Sequence, residues 1–214
     1  MNEKGADRPS RKIRKRNFES GGVSVKPGIY NLKMHFGDQT SESTIKVEFD
    51  PRLEMSSEAI TEIYNTSKDL EKDQQLMADI VKQLVESKQT ATTFKQDLIN
   101  EDKKKYKDQI KLSKEIITKI DKHIAAFLGK IDKRQGITRN PEVTVNRRYF
   151  SARRYVGSRF GHLTSTEERL ISQFKKVFND AVKKTNSFFE TDWKTYKTTL
   201  ETIRISPFKE IQKF

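Results

Sequence analysis

Cysteine is absent from this chain, which removes disulfides and thiolate metal sites and leaves the redox compartment open. Histidine is nearly as scarce. His35, His123 and His162 stand far apart, with no His-x-x-x-His or His-Glu-x-x-His pair, so no zinc site of the ordinary kind is expected. No phosphate-binding glycine-rich loop and no Gly-x-Ser-x-Gly elbow occurs. No apolar run approaches the ~20 residues that span a bilayer. Met1-Asn2-Glu3-Lys4 leads into polar residues rather than the apolar core of a secretory signal. Only 33% of the 214 residues are hydrophobic and 34% are charged, a balance that hints at disorder until periodicity is considered. Long thin helices bury a narrow stripe and expose the rest, so they tolerate such a composition.

What is present in excess is positive charge, +13 net. Basic surfaces attract phosphate, anionic lipid or acidic polysaccharide, and the sign alone selects none of these. One cluster comprises Arg8, Arg11, Lys12, Arg14, Lys15 and Arg16; a second spans Lys133, Arg134, Arg139, Arg147, Arg148, Arg153, Arg154 and Arg159. The first lies in residues 1–25, rich in Gly, Pro, Ser and basic side chains, which read as a flexible or draped arm. Arg11 to Arg16 suits either a nucleic-acid arm or a solvated linker.

Residues 26–53 read as a β-hairpin. Tyr30, Leu32, Met34 and Phe36 alternate with Asn31, Lys33 and His35, the pattern of a half-buried strand. Gly37 to Thr40 supply turn residues, and Ile45, Val47 and Phe49 alternate with Thr44, Lys46 and Glu48 in a second strand that Pro51 closes. A lone two-stranded hairpin is marginal in water, so its apolar face requires the helices that follow it or strands from elsewhere.

Residues 54–214 read as helices. Ser56 is a candidate cap for the first. Ile63, Leu70, Met77, Leu84, Ala91 and Leu98 then fall seven apart, widened by Ile60, Ile80, Val81 and Phe94, until Asn100-Glu101-Asp102 interrupts them. In the second helix Tyr106, Ile110, Ser113, Ile117, Ile120, Ile124, Phe127 and Ile131 step by about half a heptad, which keeps one face toward a partner at a shallow angle. The short loop between the two favours antiparallel neighbours. The second helix is expected to end at Gln135-Gly136, with Lys130, Lys133 and Arg134 in its last turn. A shorter helix is expected over 142–157. Thr164 with Glu167 fits a capping box for the last long helix, whose apolar residues run from Leu170 to Ile203 and include Phe174, Phe178, Phe188, Phe189, Trp193 and Tyr196. Ile205-Ser206-Pro207-Phe208 ends it, and the tail to Phe214 folds back. The expected fold is thus mainly α: an antiparallel three- to four-helix bundle with long helices, preceded by a β-hairpin.

Several segments, in order, carry a resemblance. Gly21 to Tyr30 (GGVSVKPGIY), then Gly37-Asp38, then Val47 to Leu53 (VEFDPRL) resemble the C-terminal region of large bacterial proteins with sortilin-like propellers, the BNR/Asp-box repeat or glycosyl-hydrolase-like proteins. There a β-sandwich-like module ends in a PGTY…G…DPR pattern and is followed by a helical tail. Asn186 to Tyr196, Pro207-Phe208-Lys209 and Arg8 to Arg11 are similar to segments of that region. The resemblance implies that the hairpin is the end of a sandwich-like module, that the parent protein is exported, and that the chain is its C-terminal part. No Asp-box is present, so any hydrolase activity belongs to the propeller and transfers to no residue here.

Two constellations remain. His123 sits beside the stripe of the second helix, placed as a boundary histidine with its tip in water. Asn146 to Tyr155 interleaves Arg147, Arg148, Arg153 and Arg154 with aromatics. That pattern serves phosphate gripping or base stacking. It equally serves packing, with Tyr149, Phe150, Ala152 and Val156 buried and Arg147, Arg148 and Arg154 outside. The candidate anion-binding residues are therefore Arg11, Lys12, Arg14, Lys15, Arg16, Arg147, Arg148, Arg153 and Arg154. No catalytic residue, metal ligand or cofactor site is expected. The leading expectation is a non-catalytic structural or interaction module whose partner is protein, either the parent propeller or a second copy. The alternatives are an anion-binding module for nucleic acid or acidic polysaccharide, and a piece of a glycosyl-hydrolase-like protein whose active part lies elsewhere.

Overall fold

The computed structural model describes residues 1–13, 19–131 and 143–203. They are mainly helical, with two small antiparallel sheets ahead of the helices. The chain divides into two compact units. The first takes Met1–Arg8, the described part of Lys15–Leu76, and Arg148–Phe174; the second takes the described parts of Pro9–Arg14, Met77–Arg147 and Lys175–Phe214.

In the first unit, β1 (Asn2–Lys4) pairs antiparallel with β2 (Gly21–Ser24), where the sequence suggests an arm. Strands of three and four residues are too short to show alternation, so the pattern hid them. The segment is also draped on helix α1 (Ser57–Asp102). Tyr64 donates its hydroxyl proton to Glu3, Gln74 Nε2 donates to the carbonyls of Ala6 at 3.0 Å and Asp7 at 2.9 Å, and the Asp7 amide donates to Gln75 Oε1 at 2.9 Å.

Strands β3 (Gly28–Phe36) and β4 (Gln39–Val47) form the expected hairpin. Gly37 opens its two-residue turn at φ +57°, a positive angle that the first position of a II′ hairpin turn demands. Tyr30 lies opposite Ile45 and Gly28 opposite Val47, so Tyr30, Leu32, Met34, Phe36, Ile45 and Val47 share one face. That face is not half-buried as its alternation suggests. Phe36 is 84% exposed and Met34 68%, because no other described element covers either strand beyond its base. Alternation reports that a strand has an apolar side and says nothing about what covers it. At the foot of the hairpin the Asp50 carboxylate accepts the Arg52 amide at 3.0 Å, Nε at 2.9 Å and Nη2 at 2.6 Å. The Asp50-Pro51-Arg52 triplet is thus a self-closed turn between sheet and helix, and the guanidinium holds the Asp50 carboxyl below its usual pKa.

Ser56 caps α1 as expected: its hydroxyl accepts the Ala59 amide at 3.1 Å. In this unit α3 (Val145–Gly157) lies against α1, and the start of α4 (Ser165–Phe188) meets α3. Tyr149 donates to Gln74 Oε1 at 2.6 Å and meets Phe174 edge-on at 5.5 Å. Phe150, expected in the buried face, is 38% exposed. The buried positions are Tyr149, Ala152 and Val156, and Phe150 lies a residue off that spacing. The helix starts at Val145, with Thr144 accepting the Arg147 amide at 3.1 Å. One half of the Thr164–Glu167 capping box is present: the Glu167 carboxylate accepts the Thr164 amide at 2.9 Å, and the Thr164 hydroxyl donates to the same carboxylate.

The second unit contains the rest of α1, α2 (Lys107–Leu128), the remainder of α4 and α5 (Lys194–Glu201). Met77, Leu84, Ala91 and Leu98 are fully buried along α1. Lys88 pairs with Asp121 at 2.7 Å, an antiparallel match about a four-residue connection in which Asp102 accepts the amides of Lys104 and Lys105. Two spacing expectations for α2 are corrected. Ile116 rather than Ile117 is buried, and Ile131 is 66% exposed. The reason for the second is that α2 stops at Leu128, where Gly129 turns to φ +82°, and not at Gln135-Gly136. Lys130 therefore lies outside the helix, while Lys133, Arg134, Gln135 and Gly136 lie outside the described residues, as do Ile205 to Phe214. The cation at this helix end is Arg11, whose guanidinium donates to the Gly129 carbonyl.

The last helix is not continuous α. Phe174, Phe178, Ala181, Thr185 and Phe188 are buried in a four–three rhythm that would next bring Asp192 to the seam. A π turn at Phe189–Trp193 absorbs one residue, so Tyr196 and Leu200 are buried instead. Asp192 is left beside Lys119 at 2.7 Å. The adjacent Phe188-Phe189 pair is the sequence mark of this phase change. Deleting the exposed Glu190 should let the helix run as unbroken α with Tyr196 and Leu200 still in phase. Its thermal midpoint is expected to match or exceed that of the parent, whereas an alanine inserted after Glu190 should lower it.

His123 is half-buried as a boundary residue, but its ring is engaged. Nδ1 lies 3.2 Å from Thr185 Oγ1 and the ring 4.8 Å from that of Phe188. Burial lowers its pKa, opposed by the charge of Asp192. A histidine that is harder to protonate folded than unfolded adds stability at neutral pH that is lost as pH falls below its ordinary value of about 6.5. Melting should therefore weaken between pH 7 and 5.5, before carboxylates titrate. In His123→Gln that limb should flatten, as followed by circular dichroism.

Candidate functional site

A cleft of about 560 Å³ opens in the first unit, lined by β2 and its flanks, the first turns of α1, and α3 with the residues after it. Its most buried lining side chains are Gln74 and Tyr149. Gln74 occupies a seam position of α1 between Leu70 and Met77, so it is held inside and must be satisfied there. It is, by the Tyr149 hydroxyl on one side and the Ala6 and Asp7 carbonyls on the other. One link thereby joins α1, α3 and the N-terminal segment.

On one side of the cleft, Lys68 bridges Glu3 at 2.9 Å and Glu71 at 2.5 Å. Hydrogen bonding to both carboxylates raises the Lys68 pKa. Tyr64 and Lys68 together lower that of Glu3. Lys26 sits over the Tyr64 ring at 4.8 Å. Arg8, Arg153 and Arg159 also line the cleft. Arg159 Nε donates to the His162 carbonyl at 2.9 Å, and His162 in turn meets Glu62 at 2.7 Å. Burial pushes the Tyr149 hydroxyl up to about 12, against the opposing charges of Arg153 and Arg8. Both guanidinium fields therefore reach the base of the cleft.

Of the described residues among those expected to bind anions, only Arg153 lines this cleft. Arg11 is engaged with Gly129, Lys12 is exposed, and Arg14, Lys15 and Arg16 lie outside the described residues. Arg148 is half-buried and donates to Gln173 at 3.1 Å, rather than standing outside the helix. Arg147 and Arg154 are exposed. The cations gathered around Arg153 are Arg8 and Arg159, one from each basic cluster. Both belong to the basic clusters visible in the sequence, but neither is among the candidate anion-binding residues, because nothing in the linear spacing brings Arg8 to Arg159. The polar residue in the Leu70–Met77 stripe was the available sign of a buried polar link. Among the described residues no cluster of three or more His, Asp or Glu could hold a metal ion, and no helix is long and apolar enough to cross a membrane.

Comparison with protein-family models, curated proteins and solved structures finds no match to this chain.

Tyr149→Phe tests the central link. It leaves Gln74 Oε1 buried without its donor, so it is expected to cost about 1–3 kcal/mol. It should also raise amide exchange over residues 2–7, which Gln74 secures. Chemical denaturation and exchange mass spectrometry read the two effects.

Proposed function

We propose that this chain is a non-catalytic interaction module that docks through hairpin β3–β4. Its partner in this reading is the β-sheet surface of a larger sortilin-like propeller (BNR repeat) protein of which it forms the C-terminal part. The observation that carries the reading is the hairpin itself. Its apolar face holds Leu32, Met34, Phe36 and Ile45, all exposed. Both outer edges of the two-stranded sheet lack a neighbouring strand among the described residues. A bare apolar face with two open edges is an aggregation hazard in isolation and a docking element in a complex. The opposite face is polar apart from Ile29, with Lys33 and Glu42 paired at 2.8 Å, so one side is better suited to water and the other to a sheet. The order of the PGIY, Gly-Asp and DPR segments supports a sandwich-like module as the surface that receives it.

Sedimentation velocity tests the reading. The chain is expected to associate with rising concentration. Replacing Leu32, Met34 and Phe36 by threonine should abolish association and leave the helical signal and melting midpoint unchanged. A parent chain that stays monomeric up to the millimolar range and behaves like the triple variant would defeat it.

A further inference from the structure

The cleft of the first unit has features that hairpin docking does not require. Its charged lining is four cations, Arg8, Lys26, Arg153 and Arg159, against one carboxylate, Glu71, which Lys68 already engages. Lys26 covers the Tyr64 ring and Arg159 is tethered through Nε. No carboxylate among the described residues pairs with Arg8 or Arg153. The rest of the lining is mixed: an apolar part holds Val23, Met55, Ile60 and Ile63, beside polar residues such as Ser20, Ser24 and Ser67. Its volume of about 560 Å³ falls within the roughly 300–1,000 Å³ typical of small-molecule sites. A cleft that places unpaired guanidinium groups beside an apolar patch suits a ligand that is anionic at one end and apolar at the other. Arginine offers a carboxylate or phosphate a planar pair of donors, and the half-buried position of Arg153 strengthens its contact.

We propose that this cleft binds an amphiphilic organic anion, its carboxylate or phosphate head held by Arg8 and Arg153 and its apolar body lying along Val23, Ile60 and Ile63. The head group is shared by fatty-acid-like carboxylates and by alkyl phosphates. The site requires head and body together, which distinguishes it from a surface that collects phosphate or nucleic acid by charge alone.

Calorimetric titration of the full chain with decanoate and with decyl phosphate, below their micelle concentrations, is the test. Decanol, inorganic phosphate and a short oligonucleotide serve as comparisons. One or both amphiphilic anions should bind at one site per chain, whichever wins naming the head group. Decanol and phosphate should bind at least about tenfold more weakly, the difference that one lost charge-assisted contact produces. Arg153→Gln breaks no contact among the described residues and should raise the Kd about tenfold without shifting the melting midpoint. Ser67→Leu, which adds bulk to the lining from α1, should block binding while Arg153→Lys retains part of it. The hairpin variant with threonine at 32, 34 and 36 should bind normally, so failure of this proposal and of hairpin docking are separable. Binding that survives both Arg153→Gln and Ser67→Leu would overturn the proposal. So would binding that disappears in the hairpin variant, tighter binding of phosphate or oligonucleotide than of either amphiphile, or no binding at all.

Discussion

The constraint on which the structure depends is the buried stripe of one helix. Helix α1 runs for 46 residues, and Leu70, Met77, Leu84, Ala91 and Leu98 along it are essentially inaccessible. A helix of this length with so charged a composition is not held by propensity alone; tertiary cover of its apolar stripe supplies the stability. The cover differs along its length. In the first unit α3 meets it through Tyr149 and Gln74, and in the second α2 meets it through Lys88 and Asp121. The remaining elements take their places by satisfying what those contacts leave open.

Most of what they satisfy is polar. Gln74 with Tyr149, Ser113 with Tyr196, and His123 with Thr185 each place a hydrogen-bonding pair between helices in otherwise apolar seams. Such pairs add little net stability, but a shifted register would leave their atoms buried and unpaired, at about 1–3 kcal/mol each. Leucine and isoleucine seams alone would tolerate a slip of one heptad far better. The Gln74–Tyr149 pair also reaches the backbone of Ala6 and Asp7, so the choice of helix register fixes the N-terminal segment.

Much of this was legible in the sequence, and the limits were physical. The heptad stripe of α1, the Ser56 cap, the Thr164–Glu167 box and the hairpin alternation are local patterns, and each stands where its spacing places it. The end of α2 was missed because apolar spacing continues to Ile131, while the backbone turns at Gly129. The π turn was missed because composition does not record phase, although Phe188-Phe189 did. Phe150 was assigned to the core on hydrophobicity, yet one helical step from Tyr149 carries it about 100° around the axis. The cleft was the least legible, since its cations come from positions as distant as Arg8 and Arg159 and only the tertiary fold assembles them.

The hairpin and the cleft of the first unit handle positive charge differently. On the hairpin, Lys33 is matched to Glu42 and Lys46 to Glu48, which leaves the apolar face as its distinguishing surface. In the cleft the one lining carboxylate, Glu71, is engaged by Lys68, which also holds Glu3, so Glu71 does little to quench the arginines. Pairing Lys68 twice therefore has two consequences: it fastens β1 to α1, and it keeps the adjacent guanidinium groups electrostatically available. A substitution at Lys68 would act on both at once, because it removes the ion pair that ties Glu3 to α1 and leaves the Glu71 carboxylate uncompensated in the lining that Arg8 and Arg153 share.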